Sequence, residues 1–319
     1  MSATATSDPS VYCDHLLRPG NTNCGGCGMS IALQWLDQAL AGEKPTLVIP
    51  ACCGIVTAGA FPTSGYGVPT AAATFASAPS VATGISTIAA LNHETQPVIC
   101  WTGDGGTYDI GVATLSAAAE RNEDIIYICY DNEIYGNTGG QRSSATPQGV
   151  VTSTTVTGKG ERKKDIMAIM AGHRIPYAAT LSVAHREDFL RKIRLARSMS
   201  GFRFLLILSP CPTGWKSEPE ESTELIDLAV RSGLFPLYEI FDGLRYRINE
   251  RPDGTSVEEY VNRQRRYKAI AADPQPLKTF IRQQWDCLER LAAAFPTIPK
   301  DPGVPDSATR LPPAIRVSA

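Results

Sequence analysis

The chain has 319 residues, a formal net charge of −2 at pH 7 and a hydrophobic fraction of 43%. This length suits one large domain with an extension, and the near-neutral charge argues against a dedicated nucleic-acid or membrane-surface binder. No apolar run reaches the roughly 18 residues of a transmembrane helix. Residues 1–10 carry neither a basic nor an apolar signal segment, so we expect a cytoplasmic protein.

Helical and strand-like segments alternate along most of the chain. The predicted elements, in chain order, are a helix at 29–40, a strand at 46–50, a helical region at 71–91, a strand at 97–102, a helix at 108–121, a strand at 124–130, a helix at 164–172, a strand at 176–181, a helix at 186–198 and a strand at 203–209. Continuous apolar strands joined by helices predict an α/β fold with a mostly parallel sheet and helices on both faces.

The composition divides the chain into three parts. Residues 1–20 are expected to be a flexible lead-in, and residues 21–212 to form the α/β domain. From residue 213 onward, prolines and charged residues replace the apolar runs. We therefore predict that residues 213–319 are a C-terminal extension that wraps a partner subunit.

A glycine-rich motif, Gly103-Asp104-Gly105-Gly106, lies between a predicted strand and a predicted helix. Glycines let a diphosphate approach the backbone, and the N-terminus of a helix favours negative charge. Alone, the motif fits a tight turn equally well. Asn132 follows the next strand, so Asp104 and Asn132 should face each other across one crevice at the carboxyl ends of the strands. Their oxygen atoms suit Mg²⁺.

Five of the nine cysteines fall near predicted strand or helix ends. Clustered cysteines in a reducing compartment more often bind metal or do redox chemistry than form disulfides. Cys24 and Cys27 form a Cys-x-x-Cys pair, which fits zinc, a redox dithiol or one edge of an iron–sulfur cluster. A cubane cluster could take its ligands from Cys24, Cys27, one of the pair Cys52/Cys53, and Cys211.

Several of these segments together resemble one enzyme family. The order GDG, about 25 residues, then Asn is similar to the thiamine diphosphate motif. The run YDNEIYGNTGGQRSSATPQG at 130–149 resembles the corresponding segment of pyruvate:ferredoxin oxidoreductases and their 2-oxoacid:acceptor relatives, as do CGGC, PACCGIV and SPCPTGW. The resemblance covers roughly residues 20–245. It implies the thiamine-diphosphate-binding β subunit of such an enzyme.

The resemblance also implies the residues of a magnesium–thiamine site. Asp104, Asn132 and the backbone carbonyl of Ile134 would bind Mg²⁺, and the glycines of the GDGG motif would contact the cofactor. Asn137 and Thr138 would line its reacting end or the substrate pocket.

A [4Fe–4S] cluster is the second implied cofactor. Its ligands would be Cys24, Cys27, Cys52 and Cys211. Cys52 is chosen over Cys53 because the spacing to the following Ile-Val matches the family better.

The family reaction is the oxidative decarboxylation of a 2-oxoacid, usually to an acyl-coenzyme A and carbon dioxide, with electrons passed singly to the cluster. The implied partners are an α-type subunit that carries the glutamate for the cofactor's pyrimidine, γ-type and ferredoxin-like subunits, coenzyme A, and ferredoxin or another electron acceptor. Met29 and the small, glycine-rich run at 57–70 depart from the pyruvate type. Pyruvate, an aromatic or branched 2-oxoacid, and oxalate are therefore all candidate substrates.

Two other classes compete with this interpretation. A non-redox thiamine enzyme of the decarboxylase type would place both thiamine domains in one longer chain and would lack the four cysteines. A zinc-stabilised α/β binding module would explain CGGC but not Asp104 with Asn132. The basic run at 162–164 is interpreted as a solvated helix start, with a contact for coenzyme A phosphates as the alternative.

Overall fold

The computed structural model describes residues 15–57 and 64–296. Most of the predicted lead-in, part of the glycine-rich run at 57–70 and the end of the predicted extension lie outside these residues. The helices of the described part are α1 (Gly28–Leu40), α2 (Cys53–Val56), α3 (Ala78–Leu91), α4 (Val112–Glu120), α5 (Ile166–Gly172), α6 (Arg186–Ser198), α7 (Pro212–Trp215), α8 (Ser222–Arg231), α9 (Val257–Asn262) and α10 (Gln275–Ala294). Its strands are β1 (Thr46–Pro50), β2 (Thr70–Ala73), β3 (Val98–Gly103), β4 (Ile126–Asp131), β5 (Tyr177–Ser182), β6 (Arg203–Leu208), β7 (Tyr238–Phe241) and β8 (Arg245–Ile248).

These strands form one mixed sheet in the order β2-β1-β3-β4-β6-β5-β7-β8. The first six strands pair in parallel, whereas β7 and β8 pair antiparallel at one side. Since β1, β3, β4 and β6 are consecutive neighbours, the four segments that follow them meet at one edge of the sheet. We call this the carboxyl edge.

The middle of the sheet is covered on both faces. Every residue of β3, β4, β5 and β6 is buried, and successive side chains of a strand point to opposite faces. In α1, Leu33, Leu36 and Leu40 recur at helical spacing and are buried, and Trp35 meets Phe189 of α6 edge-on at a centroid distance of 5.5 Å. The predicted α/β fold is confirmed.

The helical region predicted at 71–91 is only partly helical. Its first residues form the edge strand β2, which pairs with β1, and the helix begins at Ala78. A run of small residues does not by itself distinguish a helix from a strand. Here the pairing with β1 makes the first residues of the run a strand. Pro79 lies in the first turn of α3, where its missing N–H costs nothing.

The segment after residue 212 shares the core of the preceding domain. It contributes β7 and β8 to the sheet, and Leu225, Tyr260 and Trp285 belong to the buried cluster. A boundary at residue 213 therefore does not separate two cores, while contact of this segment with a partner subunit stays a prediction. The longest described helix, α10, has 20 residues, and none of the described helices is long and apolar enough to cross a bilayer.

Candidate functional site

Three oxygen atoms can converge where β3 and β4 end. Gly103 pairs with Tyr130 in the sheet, so the residues that follow these strands lie side by side. The side-chain amide of Asn132 lies 3.0 Å from Asp104 Oδ1 and 2.8 Å from the carbonyl oxygen of Ile134 when its nitrogen is turned toward them. With the amide oxygen turned to the same place, three acceptor oxygens face one another.

That spacing fits a small divalent cation. Mg²⁺ binds six oxygens at about 2.0–2.1 Å in an octahedron, which places neighbouring ligand oxygens about 2.9 Å apart. Asp104, Asn132 and Ile134 are 3%, 7% and 4% exposed, so facing acceptors without a cation would be costly. The donor set therefore fits Mg²⁺ and leaves coordination positions for diphosphate oxygens.

The carboxylate of Asp104 has no ion-pair partner among the described residues, although the charge of Lys163 acts on it and favours its ionised form. Burial, and next the charge of Asp131, raise its pKa well above the usual value, although a hydrogen bond from the Ser143 hydroxyl favours the charged form. No ion pair joins Asp104 to a Lys, Arg or His of the described residues. A metal ion bound here would stabilise the ionised carboxylate.

A buried charge network lies behind these oxygens. Lys163 Nζ is 2.6 Å from Asp131 Oδ2 and 2.9 Å from Glu133 Oε1, and Arg266 Nη1 is 2.8 Å from Glu133 Oε2. The Tyr108 hydroxyl donates to Asp131 at 2.8 Å. Burial lowers the pKa of Lys163, but the two carboxylates outweigh burial and raise it. These contacts fix the loop after β4.

Sequence reasoning missed Ser143, Lys163 and Arg266. The interpretation of residues 162–164 as a solvated helix start is wrong for Lys163, whose side chain is 19% exposed and lies between two carboxylates. The acidic residues Asp131 and Glu133, directly after a buried strand, were a signal that basic partners must exist. Nothing in the sequence pattern identified those partners.

The glycines of the GDGG motif differ in what surrounds them. A Cβ at Gly105 would lie 2.2 Å from the Tyr135 ring and 2.9 Å from the Phe75 ring, whereas at Gly106 the nearest atom would be 3.5 Å away. Gly105 is thus required by the edge-on packing of these two rings, whose centroids are 6.0 Å apart. Diphosphate contacts of Gly103, Gly105 and Gly106 stay predictions.

Asn137 and Thr138 lie exposed in a turn that follows the converging oxygens. The turn is closed by a backbone hydrogen bond of 2.9 Å from Gly140 to Tyr135. Thr138 contacts the Gln141 side chain. Both residues are accessible from solvent, and the role predicted for them at the reacting end stays a prediction.

Four cysteine thiols are electrostatic neighbours at the carboxyl edge. A Cβ at Gly136 would lie 3.9 Å from Cys53 Sγ and 4.0 Å from Cys211 Sγ. Burial, then the Cys211 thiol, raises the pKa of Cys53 to about 12. For Cys211, burial and the thiols of Cys27 and Cys24 raise the pKa to about 11. As thiolates, these groups would need the positive charge of bound metal.

Cys52 is a further electrostatic neighbour of Cys53, and its thiol has additional partners. Its thiol hydrogen-bonds the Tyr130 hydroxyl and the backbone at Gly54 and Gly103, contacts that partly offset the rise in its pKa caused by burial. Tyr130 also accepts a hydrogen bond from the Gly54 N–H at 2.9 Å. Cys53 Sγ and Cys211 Sγ both lie near Gly136, which makes Cys53 the alternative to Cys52, and the choice of Cys52 as third cluster ligand stays a prediction.

The arrangement of the cysteines fits an iron–sulfur cluster better than a site for a single metal ion. Cys100 and Cys129 are fully buried in the sheet. Within residues 15–57 and 64–296, no three His, Cys, Asp or Glu side chains are grouped to hold one metal ion. A cubane cluster makes a different demand, since each of its thiolates binds a separate iron.

Comparison with known proteins gives a consistent picture. Residues 52–207 match the family described as thiamine pyrophosphate enzyme, C-terminal TPP binding domain. The ketoisovalerate oxidoreductase subunit VorB of Pyrococcus horikoshii is 40% identical over 86% of this chain and 93% of its own length. The pyruvate synthase subunit PorB of Methanothermobacter marburgensis is 39% identical over 82% of this chain and 92% of its own length.

A solved structure supports the same fold. The 2-oxoglutarate:ferredoxin oxidoreductase of Magnetococcus marinus, solved with 2-oxoglutarate, coenzyme A and succinyl-coenzyme A bound, aligns with a TM-score of 0.56 at 22% identity. The alignment covers 70% of this chain and 81% of that chain.

Proposed function

Because the chain belongs to the family of thiamine-diphosphate-binding β subunits of 2-oxoacid:ferredoxin oxidoreductases, we propose that it forms the diphosphate half of a thiamine site and carries an iron–sulfur cluster beside it. The reaction proposed is the oxidative decarboxylation of a 2-oxoacid. The observation that carries the proposal is the convergence of oxygens from Asp104, Asn132 and Ile134 within the family-matched residues 52–207.

The metal proposed for this place is Mg²⁺. Asp104 supplies a negative oxygen, and Asn132 and Ile134 supply neutral ones, which is the oxygen-rich set that Mg²⁺ prefers. The remaining positions would take diphosphate oxygens of the cofactor. The glycines at the start of the wide turn Gly105–Asp109 would offer backbone N–H groups to the diphosphate.

A thiamine cofactor held there supplies an electron sink when a 2-oxoacid loses carbon dioxide. The contribution of this chain is to hold the diphosphate through the metal, to keep the ionised Asp104 out of bulk water, and to fix the loop after β4 through Lys163 and Arg266. Such preorganisation places charges before the reaction begins, so that less reorganisation is needed during it.

The second proposed cofactor is a [4Fe–4S] cluster on Cys24, Cys27, Cys53 and Cys211. Support comes from the mutual interactions of these thiols and from the closeness of Cys53 and Cys211 to one point at Gly136. Cys24 is exposed and the other three are partly buried, so Cys24 would be the cluster ligand nearest to solvent.

The partners follow from the same family membership. Its relatives VorB and PorB are named as subunits, so this chain is proposed to work within a complex. An α-type subunit would supply the glutamate for the pyrimidine, and γ-type and ferredoxin-like subunits would complete the assembly, with coenzyme A as acyl acceptor and ferredoxin as electron acceptor. Relatives named for ketoisovalerate and for pyruvate are equally similar, so a branched 2-oxoacid and pyruvate are the first substrates to test.

Substrate-dependent electron transfer tests this proposal. We expect the complex that contains this chain, purified without oxygen, to reduce ferredoxin when a 2-oxoacid and coenzyme A are both present. Ketoisovalerate, pyruvate, 2-oxoglutarate and an aromatic 2-oxoacid should be compared. Carbon dioxide release without reduction of any acceptor would instead indicate the decarboxylase type.

A matched pair of serine variants tests the choice of cluster ligand. We expect Cys53→Ser to lose most of the cluster, because Cys53 faces Cys211, and Cys52→Ser to retain it, because the serine hydroxyl can still bond Tyr130. Iron content and the electron paramagnetic resonance signal of the reduced complex are the measurements. Loss of the cluster in Cys52→Ser alone would contradict the choice of Cys53.

A further inference from the structure

Trp215 lies between the two proposed cofactor sites. Its indole Nε1–H donates to the backbone carbonyl oxygen of Asn132 at 2.8 Å, and its backbone N–H donates to the carbonyl oxygen of Cys211 at 2.7 Å. The side chain is completely buried. One residue therefore hydrogen-bonds the backbone of a proposed magnesium ligand and of a proposed cluster ligand.

The two sites also share a wall with no free space. A Cβ at Gly214 would lie 2.8 Å from Ile134 Cγ2 and 3.2 Å from Cys211 Sγ. Such distances are below those of ordinary van der Waals contact, so this backbone already fills the gap between the two side chains. A displacement of the loop at Ile134 would therefore also displace the Cys211 side chain.

A third contact fixes the indole from the opposite direction. The guanidinium of Arg266 lies 3.9 Å from the centre of the Trp215 ring, and the same group is paired with Glu133. Arg266 Nη2 also donates a hydrogen bond to the Tyr260 hydroxyl oxygen at 2.9 Å. Trp215 is therefore fixed against both neighbours and cannot absorb a shift of the Asn132 backbone by rotating away.

We propose that Trp215 is a positioning residue that couples the two sites, so that filling the magnesium–thiamine site shifts the reduction potential of the cluster. The inference rests on the function proposed above. Cysteine geometry and hydrogen bonding near the sulfurs tune the potentials of such clusters. Coupling between two sites is reciprocal, so the oxidation state of the cluster must change the affinity for thiamine diphosphate by the same factor.

Redox titration of the whole complex tests the coupling. The potential of the cluster is measured by electron paramagnetic resonance, with and without Mg²⁺ and thiamine diphosphate. We expect the affinity for the cofactor to differ about tenfold between the oxidised and reduced cluster, which equals a shift of about 59 mV for one electron. An unchanged potential in the native complex, with both cofactors bound, would overturn the inference.

Two variants change the contacts between the two proposed sites in different ways. Trp215→Phe keeps an aromatic ring over which Arg266 can lie but removes the N–H, and we expect the shift to fall at least about threefold while both cofactors still bind. Gly214→Ala keeps that hydrogen bond and instead wedges a methyl group between Ile134 and Cys211, and we expect it to alter the shift too. Gly172→Ala is the matched control, since a Cβ there meets nothing within 4 Å, and should behave as the native protein.

These experiments distinguish failure of the coupling from failure of the proposed function. A native-sized shift of the reduction potential in both Trp215→Phe and Gly214→Ala would refute coupling through Trp215 and Gly214. If Trp215→Phe does not assemble, Gly214→Ala alone decides the matter. Absence of iron or of thiamine binding in the native complex would refute the proposed function itself, which is a different result from two bound but uncoupled cofactors.

Discussion

Asp104 and Glu239 are both buried carboxylates, but their surroundings move their pKa values in opposite directions. Burial and the charge of Asp131 raise the pKa of Asp104 well above its usual value. Burial also acts to raise the pKa of Glu239, but hydrogen bonds from Arg247 and Arg191 outweigh it and lower the pKa to about 2. One carboxylate lies at the carboxyl edge of the parallel strands, the other in the antiparallel strand β7.

The difference lies in where the compensating charge comes from. The charge of Glu239 is compensated by side chains of the same chain. Arg191, Arg247 and Asn249 donate hydrogen bonds to its Oε2 at 2.9 Å, 2.8 Å and 2.6 Å. Asp104 has no such ion pair among the described residues, and its nearest polar neighbours are the Ser143 hydroxyl and the Asn132 amide. The antiparallel side of the sheet thus compensates its buried carboxylate within the chain, whereas the carboxyl edge carries the proposed cation site.

Replacing Glu239 should have the largest effect on stability. Glu239→Gln leaves two arginines without their shared carboxylate, and breaking a buried pair in this way typically costs about 3–5 kcal/mol. The free energy of unfolding of the isolated subunit in urea measures this loss. Affinity for thiamine diphosphate should stay native in the folded fraction. A variant as stable as the native chain would contradict the assigned role of Glu239.

Acid should remove the same contribution. The pKa of Glu239 is lowered in the folded chain, so its stabilising effect is fully present above the usual pKa of a glutamate and is lost as pH falls toward about 2. From the size of the shift, the contribution is about 3 kcal/mol. The difference in unfolding free energy between the native chain and Glu239→Gln should therefore narrow below about pH 4.5. A difference independent of pH would exclude this origin.

Replacing Asp104 should affect binding rather than folding. Asp104→Asn retains the shape of the side chain but removes the negative oxygen, and we expect the affinity for thiamine diphosphate with Mg²⁺ to fall at least about 100-fold. Because burial of this carboxylate is unfavourable, the variant should be as stable as the native chain or more so. Calorimetric titration and urea denaturation measure the two effects. Native affinity for thiamine diphosphate in Asp104→Asn would contradict the binding role that distinguishes Asp104 from Glu239.

The smallest effect is expected from Ser143, which orients Asp104 without touching the proposed metal. Ser143→Ala removes the hydroxyl that donates to Asp104 Oδ2, and we expect about a tenfold loss of thiamine diphosphate affinity. Ser153→Ala, an exposed position, is a suitable control. Equal effects of the two alanine variants would show that the hydrogen bond to Asp104 has no specific role.

The same comparison shows what sequence can and cannot predict. The apolar runs of β3 and β4 predicted where these strands end, and hence that Asp104 and Asn132 would meet. The network around Glu239 could not be predicted, because Arg191 reaches it from α6, and Arg247 lies opposite it only through the register of β7 and β8. The choice between Cys52 and Cys53 depends on which thiol turns toward Tyr130, and side-chain direction at the end of a strand depends on tertiary contacts.

The strongest test of the central claim is chemical analysis of the native complex purified without oxygen, for iron, acid-labile sulfide, magnesium and thiamine. We predict about four irons assignable to this chain, lost on Cys211→Ser, and thiamine diphosphate with magnesium, lost on Asp104→Asn. Thiamine without iron would indicate an ordinary thiamine enzyme. Zinc without thiamine would contradict the proposed function altogether.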